Sequence, residues 1–457
     1  MRSLFKLLTG LAVLLTIGVA QATLPIQTIT TSQGVRVYLV QSQNLPMVDV
    51  QIDFDAGARR DPEGKAGLAS SVAGMLAKGV RAEGGMPALD ENQLGEAWAD
   101  LGASFGGSAS DDRMSFRLRS LTRPDILKQA VQLAARQLAQ PAYKPHHWDE
   151  ERNRTLAALR EARTRPATVA NERFMAALYP NHPYGRSNTE ASLKAIGVAD
   201  LHRFHKQHLW ACRAKVSMVG DLNPEQAKAL AEQLLAYLPQ TQPCTALPAV
   251  ADPQPLQQAQ DIRIPFVANQ AQVFIGQPAI KRNDPDLFPT LVGNHILGGG
   301  GFVSRLTNQV REQRGLSYSV YSYFAPGLHQ GPFVAGLQTR PDQALQALKL
   351  SQDIIREFVA QGPNAEELKA AKDNLIGGFA LRLDSNKKLL DNLANIAWYE
   401  LPLDYLDTWT QRVAAVTLQD IVQAFQRKLQ PDRMVSLVLG PRSEEHTSEL
   451  QSLAYLV

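Results

Sequence analysis

Two residues of chemically useful type stand seven apart, Arg311 and Tyr318. A guanidinium can hold a carbonyl or a carboxylate with two parallel donors. A phenol hydroxyl can donate to an oxyanion that exists only in a transition state. Both residues also have plain structural uses. Arg311 suits a helix C-terminus, and Tyr318 suits a half-buried strand. The pair by itself therefore fixes no chemistry. Shortly before it run Gly298, Gly299, Gly300 and Gly301. Their backbone freedom suits a loop that moves over a bound peptide and, equally, a tight connection between helices. No Gly-Lys-Ser/Thr follows, so the run is not a phosphate-binding loop.

Metal chemistry has little to stand on. The chain has nine His, and none begins a His-Glu-x-x-His or His-x-x-Glu-His pattern. His202, His205 and His208 recur at every third position of an expected helix, and adjacent pairs have chelating spacing. No carboxylate or Cys completes a set, so the expectation is a solvated helix face. His146 and His147, in a Pro-bounded turn, read as surface. No metal and no cofactor of its own is expected in this chain.

The elements that must position these residues can be read from periodicity. Ser32-Gln33-Gly34 is a turn between two short β runs. Val48, Val50, Ile52 and Phe54 alternate with polar residues, the period of a half-buried strand. Helices are expected over about Gly64 to Lys78 and Asp90 to Leu101. Met114, Phe116 and Leu118 mark another strand. Helices dominate from Arg123 to about Leu178, with Pro124 in a first turn. A helix is expected over Val303 to Gln313 and a turn at Arg314-Gly315. A strand then opens at Tyr318, with Val320 on its face and Tyr321 and Tyr323 on the other.

A chain of 457 residues exceeds one ordinary core, so two or more domains are expected. The segment holding Pro239, Pro243, Pro248, Pro253 and Pro255 lacks periodicity and reads as a linker. The two sides of it look like copies. Adding 220 to Asp200, Leu209, Arg213 and Gly220 gives Asp420, Leu429, Arg433 and Gly440, residues of the same types. On each side a helix with an early Asp is followed by a turn and a strand ending in Gly, which reads as an internal duplication.

The N-terminus has the form of an export signal: Arg2 and Lys6, an apolar run from Leu7 to Ala20, and the small-x-small site Ala20-Gln21-Ala22. The run is too short for a comfortable membrane span. The expectation is a mature chain from near Thr23, free in a bacterial periplasm with no membrane span; a retained anchor is the alternative. Net charge is +3, with none of the concentrated basic character a nucleic-acid partner needs. Cys212 and Cys244 are the only cysteines. Their pairing does not follow from sequence, and two free or buried thiols are as good a reading. Residues after about Pro441 resemble a translated sequencing-library adapter and are left out of the fold.

One run of residues gathers these observations: Asp55-Ala56-Gly57-Ala58-Arg59-Arg60-Asp61, then Gly67-Leu68-Ala69, then Met75, Lys78 and Gly79. It resembles the pitrilysin/insulinase family of metallopeptidases, over nearly the whole chain from about Thr23 to Gly440. In that family the helix after this run carries two zinc-binding His on one face and a Glu general base between them. Here those positions are Ser70 and Gly74, with Ala73 at the base. The third ligand, a Glu on a later helix, falls on Ala158, counted from an acidic residue matched by Glu151. The family also has an Arg and a Tyr spaced as Arg311 and Tyr318 in its second domain, preceded by a Gly-rich turn and Ser-Arg-Leu.

The resemblance implies an α+β fold. Two homologous α/β domains, each a mostly antiparallel sheet covered by helices, would form a half-shell. The expected division is a signal (1–22), a first domain with a degenerate zinc site (23–238), a linker (239–258), a second domain with the Arg/Tyr pair (259–441) and an artefactual tail (442–457). It also implies a non-catalytic subunit, inactive alone. A zinc-bearing homologue would be its partner and peptide its substrate. Arg311 and Tyr318 would act in trans and Gly298 to Gly301 as a substrate loop. The alternative is a non-catalytic peptide-binding or scaffold protein of the same family.

Overall fold

The computed structural model describes residues 25–240 and 244–441. The expected signal and tail lie outside the described residues. Strands β1 (Gln27–Thr30), β2 (Arg36–Gln41), β3 (Met47–Phe54), β4 (Ser104–Ala109), β5 (Met114–Leu121) and β6 (Lys215–Gly220) form a sheet ordered β1-β2-β6-β3-β5-β4. Strands β7 (Gln260–Pro265), β8 (Ala271–Ile280), β9 (Ser319–Phe324), β10 (Gly331–Thr339) and β11 (Val435–Gly440) form a second, ordered β7-β11-β8-β10-β9. Only β2 with β6 and β7 with β11 run parallel. Without β1, the two sheets have the same order and the same sense at every pairing.

The repeat is closest where the sequence placed it. Helix Val198–His208, the single turn Ala211–Arg213 and β6 recur as Leu418–Lys428, Pro431–Arg433 and β11, each boundary 220 residues on. Asp200 and Asp420 have the same task. Each occupies the third position of its helix and accepts the N-cap amide, Gly197 at 2.9 Å and Thr417 at 2.8 Å, half of a capping box.

The outer face of each sheet packs on helices of its own half, forming the two largest cores. The inner faces are covered reciprocally. Helix Pro166–Leu178, from the first half, lies on the second sheet with Ala170, Phe174 and Leu178 against Phe274, Leu437 and Leu439. The equivalent helix of the second half, Asn386–Tyr399, lies on the first sheet with Leu389, Leu390, Leu393 and Ala397 against Tyr38, Val40 and Val219.

This exchange corrects the reading of β3. Its alternation predicted a strand with one wet face, yet Asp49, Gln51 and Asp53 are buried like their apolar neighbours. Helix Asn386–Tyr399 covers them, and a polar network satisfies them. The Asp53 carboxylate, 0% exposed, accepts from Gln51 at 2.9 Å and Ser115 at 2.5 Å. Arg113 lies 3.3 Å from it and donates onward to the Ala394 carbonyl at 3.2 Å and Asn395 at 2.8 Å. Burial pushes the Asp53 carboxyl upward, and Arg113 beside it opposes that shift.

Other boundaries moved modestly. The helix expected from Gly64 starts at Leu68, because Asp61 accepts the amides of Gly67 and Ala69 at 2.8 Å and fixes the first turn there. The helix expected over Val303 to Gln313 is a short π-helical segment, Thr307–Glu312. Among the described residues no helix or strand lies between Leu234 and Gln260. That stretch is strapped down: Arg213 donates to the Thr245 carbonyl at 2.8 Å, Arg60 to the Pro248 carbonyl at 2.5 Å, and Lys281 pairs with Asp252 at 2.6 Å. Cys212 and Cys244 form a disulfide, which decides the question the sequence left open. No helix among the described residues is long and apolar enough to cross a membrane.

Replacing Arg113 with Ala strands the buried Asp53 and unties the exchanged helix. The expected loss is about 3–5 kcal/mol by urea unfolding, with Asp53→Asn added in the same chain recovering a large part. A loss under about 1 kcal/mol would show that this network does not hold the halves.

Candidate functional site

The helix at the degenerate metal position, Leu68–Met75, keeps its fold role and has lost its ligands. Leu68, Ala69, Val72, Ala73 and Met75 face the core. Ser70 and Gly74 face outward on adjacent turns, and Ala158 on helix Pro145–Ala162 is also exposed. A methyl group added at Gly74 would meet open space. These side chains offer no imidazole or carboxylate, so the set does not fit zinc. Nearby Glu151 is paired with Arg154 at 2.5 Å. Among the described residues no group of three His, Cys, Asp or Glu is placed to hold a metal.

The three spaced His belong to packing. The expected solvated face is wrong for two of them. His205 donates through Nε2 to the Leu138 carbonyl at 2.8 Å, and its ring meets that of Tyr143 at 6.0 Å. His208 packs on Phe204 at 4.3 Å. Of the three His only His202 is exposed, alongside Arg203, Lys206 and Gln207. The cause is helix Val198–His208 lying against the Leu138–Tyr143 stretch, which the His spacing could not reveal.

The Arg311/Tyr318 pair sits differently. Helix Leu287–Asn294 runs on as a π-helical turn, His295–Gly299, and Thr307–Glu312 is π-helical again. Such segments are rare and concentrate at functional sites. Arg311 stands in the last turn of the second. Gly315, with φ +61°, allows the reversal, and the chain enters β9 one residue after Tyr318. Tyr318 is therefore not half-buried; it stands at the bend, 85% exposed, and borders a recess that Val320 also lines. Tyr321 and Tyr323 do point to the face opposite the buried Val320 and Ser322.

Arg311 and Tyr318 border one recess of ≈ 470 Å³ with Leu316 and Gln338, and a second of ≈ 160 Å³ with Gly301 and Phe302. The Arg311 guanidinium lies 4.7 Å over the Phe302 ring, and its Nε is 3.3 Å from Glu312. Among the described residues neither its terminal nitrogens nor the Tyr318 hydroxyl has a hydrogen-bond partner. The site thus offers two sets of free donors beside an apolar wall. Phe302 escaped the sequence reading, since one apolar residue after a glycine run carries no periodicity.

Two matched sheets and a helix emptied of its metal ligands describe a metallopeptidase homologue that has lost its own metal centre. Residues 36–192 match the family described as Insulinase (Peptidase family M16), and residues 195–375 match the Peptidase M16 inactive domain. The chain is 33% identical to a peptidase M16 inactive domain structure from Pseudomonas fluorescens, with a TM-score of 0.85, covering 92% of this chain and 98% of that one. It is 27% identical over 387 residues to YmxG of Helicobacter pylori, described as a non-peptidase homolog, covering 82% of this chain and 85% of that one. The periplasmic protease PqqL of Escherichia coli has the same fold, with a TM-score of 0.76 at 18% identity, covering 92% of this chain and 46% of PqqL. The chain belongs to the pitrilysin/insulinase family and lacks that family's zinc motif.

Burial holds the His205 imidazole down at about 4. The folded state therefore binds the proton less well than the unfolded chain. The resulting stability is intact above about pH 6.5 and is lost as pH falls toward 4. Urea unfolding at pH 7 and pH 4.5 should show His205→Gln losing less on acidification than the unaltered protein, by on the order of 2 kcal/mol. Equal losses would remove His205 from the acid response.

Proposed function

We propose that the chain is the non-catalytic partner subunit of a heterodimeric zinc peptidase, its partner a homologue that keeps the zinc motif. The zinc belongs to that partner, and this chain needs no cofactor. One observation carries the reading: Arg311 and Tyr318 present unengaged donors to a shared recess, in a chain with Ser70, Ala73 and Gly74 where metal chemistry would need other residues. A pair kept only for folding would be engaged or buried.

In this reading Arg311 holds a carbonyl or carboxylate of the bound peptide. The Tyr318 hydroxyl donates to the oxyanion formed on peptide attack, charge that the ground state lacks. The 46% coverage of PqqL supports a two-unit assembly, since a chain about twice as long has room for both halves. The Cys212–Cys244 disulfide supports an oxidising compartment, and we place the mature chain, from near Thr23, in the periplasm. The description of the Helicobacter pylori relative as a non-peptidase homolog favours a second reading, a peptide-binding or scaffold protein without turnover.

The test is peptide hydrolysis by the chain alone and mixed with a zinc-motif homologue from the same organism, with zinc measured by elemental analysis. Activity is expected only in the mixture. Tyr318→Phe should lower kcat by about 10²–10³, and Arg311→Ala should act mainly on KM. Zinc and turnover in the chain alone would overturn the proposal, and inactivity in every mixture would favour the scaffold.

A further inference from the structure

Arg311 and Tyr318 are steered in different ways. The Arg311 guanidinium has two neighbours that fix its direction, the Phe302 ring at 4.7 Å and Glu312 at 3.3 Å. The Tyr318 side chain has neither kind of guide. Among the described residues no hydrogen bond and no ring contact reaches it. Its torsions settle into a few wells about the Cα–Cβ bond. Where the hydroxyl can reach is therefore set by the backbone at the bend.

That backbone is pinned by two buried hydroxyls, those of Ser317 and Thr339. Ser317 Oγ lies 2.7 Å from the carbonyl oxygens of both Ser319 and Gln338, and it accepts the Ser319 amide at 3.1 Å. One hydroxyl proton serves both carbonyls. Without it, two carbonyl oxygens converge on a place with no donor, and the bend must shift to satisfy them. Thr339 Oγ1 donates to the Leu316 carbonyl at 2.5 Å. The residues on either side of Tyr318 are thus held, while its own side chain is left unengaged.

The anchor is the sheet interior. Gln338 and Thr339 end β10, which has β8 on one side and β9 on the other. Upstream, the Gly315 amide donates to the Arg311 carbonyl and the Leu316 amide to the Val310 carbonyl, both at 2.9 Å. The bend therefore ties the Arg311 segment and Tyr318 to one frame. Ser317 and Thr339 also border the larger recess. Their hydroxyls are committed to main-chain carbonyls, so they act through the bend and not on a ligand.

We propose that Ser317 and Thr339 are positioning residues for Tyr318. They fix the bend so that the phenol hydroxyl meets the oxyanion. The assignment rests on the partner-subunit reading above.

The test measures kcat and KM for the chain mixed with its zinc-bearing homologue. Ser317→Ala and Thr339→Val should each lower kcat about tenfold, since misplacement by about 1 Å costs up to about 10²-fold. KM should stay nearly unchanged, because Arg311 keeps its own guides. Thr339→Ser keeps the hydroxyl and should keep the rate. The deciding variant combines Ser317→Ala with Tyr318→Phe. It should be no slower than Tyr318→Phe alone, because the hydroxyl that Ser317 steers is already gone. In the chain by itself, hydrogen exchange over residues 316–324 should quicken in Ser317→Ala. Matching circular dichroism shows an intact fold, and Thr339→Val breaks the same bend independently should Ser317→Ala not fold. A further loss of kcat in the Tyr318→Phe background would overturn the proposal, leaving the two hydroxyls as general turn anchors. So would an effect confined to KM. If no mixture hydrolyses any peptide, the partner-subunit reading fails and this role with it. Turnover indifferent to both hydroxyls ends this role alone.

Discussion

Each sheet in this protein has its inner face closed by a helix from the other half. A sheet has two faces, and an apolar face left wet costs stability in proportion to its area. The first sheet has its outer face closed by its own helices, and Tyr38, Val40 and Val219 of its inner face are closed by Asn386–Tyr399. The second depends in the same way on Pro166–Leu178, where Phe174 and Phe274 stack at 5.4 Å. Neither half can complete its core alone. The exchange fixes how the halves sit, and so fixes where the Arg311 recess lies relative to the helix that has lost its metal ligands.

Loss of the metal ligands left the fold intact because the two ligand positions on this helix lie on the face that takes no part in the core. Val72, Ala73 and Met75 point inward and are buried, while Ser70 and Gly74 point outward. Asp61 holds the helix start through two backbone amides. Its carboxyl is nonetheless pushed up to about 6, chiefly by burial. None of these contacts involves a ligand position. In the second half the exposed residues are of the opposite kind. Tyr318, Phe302 and the free end of Arg311 are large, chemically capable and unengaged, and Ser304, donating to the Gly301 carbonyl, and Arg305, paired with Glu367, hold the loop that presents them.

The polar inner face of the first sheet carries the remaining electrostatic burden. Asp49 is bound by Arg119 at 2.6 and 3.0 Å, Asp53 lies beside Arg113, and Arg117 reaches Asp391 on the exchanged helix. A buried carboxylate is tolerable only with such partners. These pairs also give the exchanged helix a defined seat, since an apolar contact alone would let it slide along the strand. The disulfide and the Arg straps do the equivalent for the segment that joins the halves.

The sequence by itself determined the repeat, the family and the emptied metal site. Those signals are local: a capping Asp before a helix, a Gly ending a strand, an alternation of apolar residues, a missing His. Each acts through the backbone within a few residues and reads the same in any tertiary setting. It also picked out Arg311 and Tyr318, but not that Tyr318 stands exposed at the bend one residue before its strand, because strand period says nothing of where a strand begins. Only the tertiary structure decided that the polar side of β3 is buried, that His205 and His208 are packing residues, that Cys212 meets Cys244, and that Phe302 stands against Arg311. Each depends on a segment distant in sequence arriving at that place, and burial and pairing are properties of that arrival rather than of the residue.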